Sequence, residues 1–307
     1  MKIIKPIFWG KKNFISLALL PLTILTYIIN LIKNFYFKKK FSIKTICVGN
    51  IYIGGTGKTS LSVKINKIFH KKYKTVFIKK KYIEHSDEQN LLNSRGNLIC
   101  TKDRYNALKI AQNKKYEVAI LDDGLQEKGI KYDITIACFN STDGIGNGFL
   151  IPAGPLRENI SKIKYYDAVF LNGEKKNKKL HFLFKKINKN LKIFEGKYMA
   201  LNLDQFNRNK RFAIFSGLGN PEEFEKTLKK YKFKVKKKFI FPDHYKFSNL
   251  EIDKMKRLAK NENLELLTTE KDYYRLNKRN KKNIKFLKIE LKIKNDKNFL
   301  KFLNEKL

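Results

Sequence analysis

With 307 residues, 42% of them hydrophobic, the chain can bury the core of one large or two modest domains. Its formal net charge of +39 comes almost wholly from lysine. Arginine, which reads bases bidentately, is scarce, and this disfavours sequence-specific nucleic-acid recognition. A genome rich in Lys, Asn and Ile codons would produce the same bias, yet such a surface attracts anionic membranes, phosphorylated substrates or nucleic acid whatever its origin. Cys47, Cys100 and Cys138 lie in or beside apolar runs. They read as small buried residues in a reducing compartment, not as a disulfide framework or a metal site.

Phe14 to Ile32 is almost wholly apolar and close to a bilayer span in length. Lys11, Lys12 and Lys33 flank it, Trp9 precedes it, and Phe35, Tyr36 and Phe37 follow. A cleaved signal peptide fits poorly, because no small-residue cleavage site follows the run. A membrane span is weakened by Pro21, Asn30 and lysine on both sides. A helix lying in or dipping into the interface fits best, with a core helix as the plain alternative.

Thr45-Ile46-Cys47-Val48 then reads as a strand feeding a glycine-rich loop, followed by a helical segment to His70. Strand, loop and helix in that order make a phosphate-binding P-loop. Gly54, Gly55, Thr56 and Gly57 would let backbone N–H groups close around phosphate oxygens, with Ser60 in the first helical turn. Lys58 would reach the β- and γ-phosphates of a nucleotide such as ATP, and the Thr59 hydroxyl would ligate Mg2+. Tyr52 stands where the strict spacing has glycine.

Lys74–Ile78 is a second strand, and the loop beyond it holds His85-Ser86-Asp87-Glu88. Adjacent carboxylates after a strand suit metal or general-base work, though most such pairs are solvated surface. Asp103-Arg104 opens a helical stretch through Ala111. Val118–Leu121 ends in Asp122 and Asp123, the pattern in which a carboxylate at a strand's end reaches Mg2+. Ile134–Cys138 and Ala168–Leu171 are further buried strands, with the Pro- and Gly-rich loop Gly146–Glu158 between them. Arg157 in that loop could contact a phosphate or carboxylate, or pair with a neighbouring Glu.

Glu174–Lys179 reads as a solvated turn. Arg211–Phe215 leads through a glycine turn to a helix started by Asn220-Pro221. Lys232–Ile240 is a strand ended by Phe241-Pro242-Asp243-His244, Ser248 caps a helix to Lys260, and Leu264–Thr268 is a strand followed by Thr269-Glu270-Lys271-Asp272. Phe286–Leu291 is a last strand and Phe299–Leu307 a short helix. His244 beside Asp243 could relay a proton or orient a carboxylate base, or be a bystander. Strands alternating with helices predict an α/β fold: a P-loop NTPase-like parallel sheet core, a second, smaller α/β half and an N-terminal membrane-associated helix. The expected organisation is an N-terminal segment 1–40, a nucleotide-binding domain 41–173, a connecting segment 174–210 and a C-terminal α/β domain 211–307 completing the active-site cleft.

Val48–Ser60, Asp122-Asp123-Gly124-Leu125-Gln126, Gly146–Glu158, Ser216–Phe224, Phe241–His244 and Thr268–Asp272 occur in an order that resembles the tetraacyldisaccharide 4′-kinase (lipid A 4′-kinase) family. Ile151–Glu158 and Phe241–His244 are much more specific than the P-loop alone. The resemblance implies an enzyme on the cytoplasmic face of the inner membrane. It would transfer the γ-phosphate of ATP to the 4′-hydroxyl of a tetraacyldisaccharide 1-phosphate. By the same resemblance Asp87 matches the family's base, His244 the histidine partnering it, and Glu88, Asp122 and Asp123 acidic residues near the metal. Arg104, Gln126, Arg157 and Asn172 look like positions lining the cleft. The chain departs from the family where Ser-Arg-Gly-Tyr-Gly usually follows the second strand: Lys79-Lys80-Lys81-Tyr82 stands there. The other readings are a membrane-associated partitioning or targeting ATPase, and a basic membrane- or nucleic-acid-binding protein with a degenerate P-loop. Ile53, where the partitioning ATPases have lysine, speaks against the former.

Overall fold

A computed structural model describes the chain apart from residues 1–5, 33–36, 82–85, 128, 219–220 and 243–244, and apart from the side chains of Ser86 and Asp87. In chain order the elements begin with α1 (Phe14–Ala18), α2 (Thr23–Ile32), β1 (Lys39–Lys40), β2 (Lys44–Gly49), α3 (Lys58–Phe69) and β3 (Thr75–Lys80). Next come α4 (Ser86–Asn93), β4 (Leu98–Thr101), α5 (Arg104–Asn113), β5 (Val118–Asp122), β6 (Ile130–Lys131), β7 (Ile134–Asn140) and β8 (Ala168–Asn172). Then follow α6 (Lys178–Ile187), β9 (Lys192–Ala200), β10 (Arg211–Ser216), α7 (Pro221–Lys230), β11 (Lys234–Ile240) and α8 (Asn249–Asn261). The chain ends with β12 (Leu264–Thr269), α9 (Glu270–Arg275), α10 (Lys278–Lys281), β13 (Ile284–Leu287), β14 (Ile289–Ile293) and α11 (Asp296–Lys306).

Two compact units result. The larger comprises Lys5–Lys81, Leu92–Tyr198 and Leu291–Leu307. The smaller is built chiefly from Tyr82–Leu91 and Met199–Glu290.

The larger unit holds an eight-stranded sheet in the order β14-β9-β8-β7-β2-β5-β3-β4. β2 lies between β5 and β7 and runs parallel to both. The chain leaves β2 for β3 and β4 on one side and later fills β7, β8 and β9 on the other. The strand order therefore reverses at β2, where a crevice opens at the carboxyl ends of the strands. Both sheet faces are covered, which is why the strands read as continuous apolar runs. Ile46, Val48, Phe77, Ile120, Ile136 and Phe170 pack against Leu61, Ile65 and Phe69 of α3 and Phe299, Phe302 and Leu303 of α11. On the other face Cys47, Val76, Ile78, Ala119 and Leu121 meet Ala107, Leu108 and Ala111 of α5. Each large apolar side chain buried this way contributes roughly 1.5–3 kcal/mol.

The smaller unit is a four-stranded parallel sheet in the order β11-β10-β12-β13. Ile252, Met255 and Ala259 of α8 cover one face, against Ala213, Phe215 and Leu266. Phe224 and Leu228 of α7 cover the other, against Phe212, Ile214 and Leu267. The capping box Ser248/Glu251 starts α8, satisfying backbone donors that the first turn leaves open.

The apolar N-terminal stretch does not form one helix. A 3-10 turn over Leu20–Leu22, containing Pro21, separates α1 from α2. Among the described residues no helix is long and apolar enough to cross a membrane. Phe14, Leu22, Leu25, Ile28, Ile29 and Ile32 are exposed, whereas the polar side of α2 is bound inward. Thr26 Oγ1 donates to the Ile151 carbonyl at 2.7 Å, and Asn30 Nδ2 to the Arg157 carbonyl at 2.8 Å. Trp9 Nε1 donates to the Pro152 carbonyl at 3.0 Å, so three side chains fasten this segment to the 146–158 loop.

Candidate active site

The β2–α3 loop is closed from both sides. Asn50, fully buried, donates from Nδ2 to the Tyr52 carbonyl at 2.5 Å and to Thr56 Oγ1 at 3.0 Å. The 146–158 loop supports the outer edge: Ile53 N donates to the Pro155 carbonyl at 2.9 Å, and Arg157 N to the Ile51 carbonyl at 2.7 Å. Tyr52 forms an antiparallel bridge with Leu156 and its ring is buried. Its φ lies outside the left-handed region, so this position has no need of the glycine that the strict spacing would place there. Gly57 is different. It caps α3 at φ 86°, and a Cβ there would come within 2.8 Å of Asn172 Nδ2 and 3.0 Å of Tyr198 Oη. A Cβ on Gly55 would meet nothing within 4 Å. The loop thus has an open inner rim of backbone at the N-terminus of a twelve-residue helix, the arrangement that accepts phosphate. Asn50 Oδ1 and Asn172 Oδ1 are buried beside it with no hydrogen-bond partner among the described residues.

β5 delivers two carboxylates with different surroundings. Asp122 is wholly buried. Its Oδ2 accepts from Thr59 Oγ1 at 3.0 Å and from Lys79 Nζ at 2.6 Å, and its Oδ1 faces Ser62 Oγ at 3.4 Å. Asp123 turns outward at φ 60°, a backbone conformation that Asp tolerates better than most residues. Its Oδ1 lies 3.7 Å from Lys58 Nζ and 3.5 Å from Arg157 Nη1. Burial pushes the Asp123 carboxyl up, but Lys58, Arg157, Lys79 and Arg104 together outweigh it and hold the carboxyl below its usual range. Arg104 braces the turn, with Nη2 donating to the Asp122 and Asp123 carbonyls at 3.2 and 2.7 Å and Nη1 to Glu127 at 2.8 Å. Burial works against the Arg104 charge, and Glu127, with Tyr132 and Cys47, more than restores it. Gln126 Nε2 ties this turn to the Asn50 carbonyl at 2.6 Å. Burial pushes the Cys47 and Cys138 thiols well up, so both are neutral core residues.

The hydroxyl of Thr59 and the carboxylates of Asp122 and Asp123 are hard oxygen donors. Mg2+ takes one or two carboxylates and completes its shell with phosphate and water, so this donor set fits it beside a bound nucleotide. Among the described residues no three His, Cys, Asp or Glu side chains are grouped so as to hold a metal ion by themselves.

In the smaller unit, Asp87 and Glu88 lie in the first turn of α4, where the sequence reads as a loop. Glu88 Oε1 pairs with Lys271 Nζ at 3.2 Å. Asp272 is buried at the start of α9, accepting from Thr269 Oγ1 at 2.7 Å and Gly217 N at 3.1 Å, with Arg275 bound to it. Burial pushes the Asp272 carboxyl up, against the opposing pull of Arg275. Asp243 and His244 lie outside the described residues.

A family model described as tetraacyldisaccharide-1-P 4′-kinase matches residues 15–307. The chain belongs to this family. A tetraacyldisaccharide 4′-kinase of Pelagibacter ubique (strain HTCC1062) is 46% identical over the full length of both chains. One from Rickettsia canadensis (strain McKiel) is 34% identical across all of this chain and 97% of its own. The crystal structure of LpxK from Aquifex aeolicus in complex with ATP superimposes with a TM-score of 0.72 at 25% identity, covering 95% of this chain and 99% of that one. Membership of a kinase family decides against the partitioning-ATPase and binding-protein readings.

As a member of the tetraacyldisaccharide-1-P 4′-kinase family, the chain also carries site residues that its motifs do not announce. Lys79 begins a run of three lysines, yet it is 4% exposed and ion-paired to Asp122. Tyr198, at the end of β9, donates from Oη to Ser60 Oγ at 3.1 Å. Arg157 pairs with Asp123 instead of its neighbour Glu158, which accepts from Tyr166 Oη at 3.1 Å.

Proposed function

We propose that the chain transfers the γ-phosphate of ATP to the 4′-hydroxyl of a tetraacyldisaccharide 1-phosphate, a step of lipid A biosynthesis. The observation that carries the reading is the Thr59–Asp122 contact behind an open P-loop, in a chain matched by this family's model over nearly its whole length. Lys58, now resting near Asp123, moves its charge onto the β- and γ-phosphates when ATP enters the rim formed by Gly54, Gly55, Thr56 and Gly57. Ser60, in the first turn of α3, completes the loop. Thr59 and Asp122 would hold Mg2+, with Asp123 and Glu88 as further acidic groups. When bound, the ion neutralises charge that builds on the phosphates. Asp87 takes the proton of the attacking hydroxyl and His244 orients that carboxylate, roles supported by the family resemblance and by the need of a hydroxyl nucleophile for a proton acceptor.

The acceptor is a lipid, and it meets the enzyme at the cytoplasmic face of the inner membrane. The exposed apolar side of α1 and α2 and the cationic surface support this placement, because both favour an anionic interface. The test is transfer of labelled γ-phosphate to a tetraacyldisaccharide 1-phosphate in detergent. Wild type labels the lipid, and Lys58→Ala, Asp87→Ala and His244→Ala each lower the rate at least about tenfold. Folded wild type that leaves the lipid unlabelled ends the proposal. Full activity in Asp87→Ala removes the base assignment.

A further inference from the structure

Lys79 is the last residue but one of β3 and the first of the run Lys79-Lys80-Lys81. Its Nζ donates to Asp122 Oδ2 at 2.6 Å, and the same oxygen accepts from Thr59 Oγ1 at 3.0 Å. A fixed cation and the hydroxyl of a Mg2+ ligand therefore converge on one carboxylate oxygen. Both members of the ion pair are nearly inaccessible, at 4% and 0% exposure. A buried pair of this kind persists because separating it leaves an uncompensated charge in a poorly solvated place. A divalent ion directed to Thr59 and Asp122 either shares Oδ2 with the ammonium, displaces it, or binds Oδ1 of the same carboxylate beside it. In each case the ion meets a like charge at short range, in surroundings that screen poorly.

We propose that Lys79 is a positioning residue that holds Asp122 against Thr59 before the divalent ion arrives and keeps the free site's affinity for that ion low. Uptake of the ion is then tied to the nucleotide, whose phosphates bring the negative charge that offsets Lys79. The proposal rests on the reading of this site as the one that holds Mg2+ and ATP. It gives Lys79 a role in the order of binding and none in contact with the reacting atoms.

Mn2+ is the probe, titrated into the full chain and followed by the electron-paramagnetic signal of the free ion, with and without a non-hydrolysable ATP analogue. Wild type binds Mn2+ weakly alone and more tightly with the analogue. Lys79→Gln, which is polar but carries no charge, binds Mn2+ alone at least about tenfold more tightly, and its gain from the analogue shrinks. Lys79→Arg keeps the charge and stays near wild type, which a purely structural role for the side chain would not predict. Should Lys79→Gln be only marginally folded, the same titration read as Tm decides, because a tighter-binding ion raises Tm at lower Mn2+ concentration. The proposal is overturned if Lys79→Gln binds Mn2+ alone no more tightly than wild type, or if Lys79→Arg behaves as Lys79→Gln. Wild type that takes up no Mn2+ even with the analogue would instead overturn the reading of the site itself.

Discussion

Gly57→Ala tests whether the β2–α3 loop is held in its observed shape. The residue caps α3 at φ 86°, ψ 18°, where any side chain beyond hydrogen is strained. A left-handed conformation costs an L-residue roughly 1–2 kcal/mol. The added methyl would also lie 2.8 Å from Asn172 Nδ2 and 3.0 Å from Tyr198 Oη. Asn172 is 2% exposed and has little room to withdraw, so overpacking adds about 1–3 kcal/mol. The sum, about 2–5 kcal/mol, corresponds to a Tm lower by roughly 5–15 °C for a unit of this size. Calorimetry measures it, and equilibrium binding of ATP should weaken at least about tenfold because the rim loses its shape. Asn172→Ala in the Gly57→Ala background should relieve the part of the overpacking that Asn172 causes and leave the Tyr198 contact and the backbone share. Gly57→Ala with wild-type Tm and wild-type ATP affinity would refute the reasoning.

Asp123 should shape the acid limb of the stability curve. Its folded-state pKa is depressed, so its stabilising contribution is present above the unfolded carboxylate value and is lost as pH falls through the folded one. In Asp123→Asn the fall in stability below about pH 4 should be shallower than in wild type, measured by urea unfolding across pH; an identical limb would argue against the Lys58–Asp123–Arg157 arrangement. Leu25→Glu with Ile28→Glu alters only exposed side chains of α2, whose polar contacts run through Thr26 and Asn30. Flotation with anionic vesicles should drop sharply while Tm stays within about 2 °C, since surface changes typically cost under ~0.5 kcal/mol each. Unchanged flotation would show that this face does not meet the membrane.

The P-loop half of the candidate site is legible in the sequence because its signals are local. A strand buried on both faces, a glycine loop and a Gly57-Lys58-Thr59 helix start are adjacent in the chain, and a later apolar run ends in Asp122 and Asp123 beside them in the sheet. Lys79 was hidden because its burial is decided by Asp122, forty-three positions away, while its own neighbours are lysines. The apolar run around Cys100 forms β4, whose bounds the sequence does not give because a four-residue, half-buried edge strand carries little apolar pattern. The run Phe286–Leu291 reads as one strand, but the chain breaks it at Lys288 into β13 and β14, which join different sheets. Alternating apolar residues state that a strand forms and say nothing about which sheet receives it. α4 lies where the sequence reads as a loop, since its polar first turn is helical only through the residues that follow.

In the proposed reaction the γ-phosphate moves to one particular hydroxyl of a lipid acceptor. Its most direct test is the position of the new phosphate, read by phosphorus–proton correlation NMR on the product of ATP and a tetraacyldisaccharide 1-phosphate. A second phosphate monoester is expected at the 4′ carbon, with the 1-phosphate intact. Release of the γ-phosphate only as inorganic phosphate, or its appearance on any other oxygen of the acceptor, would contradict it.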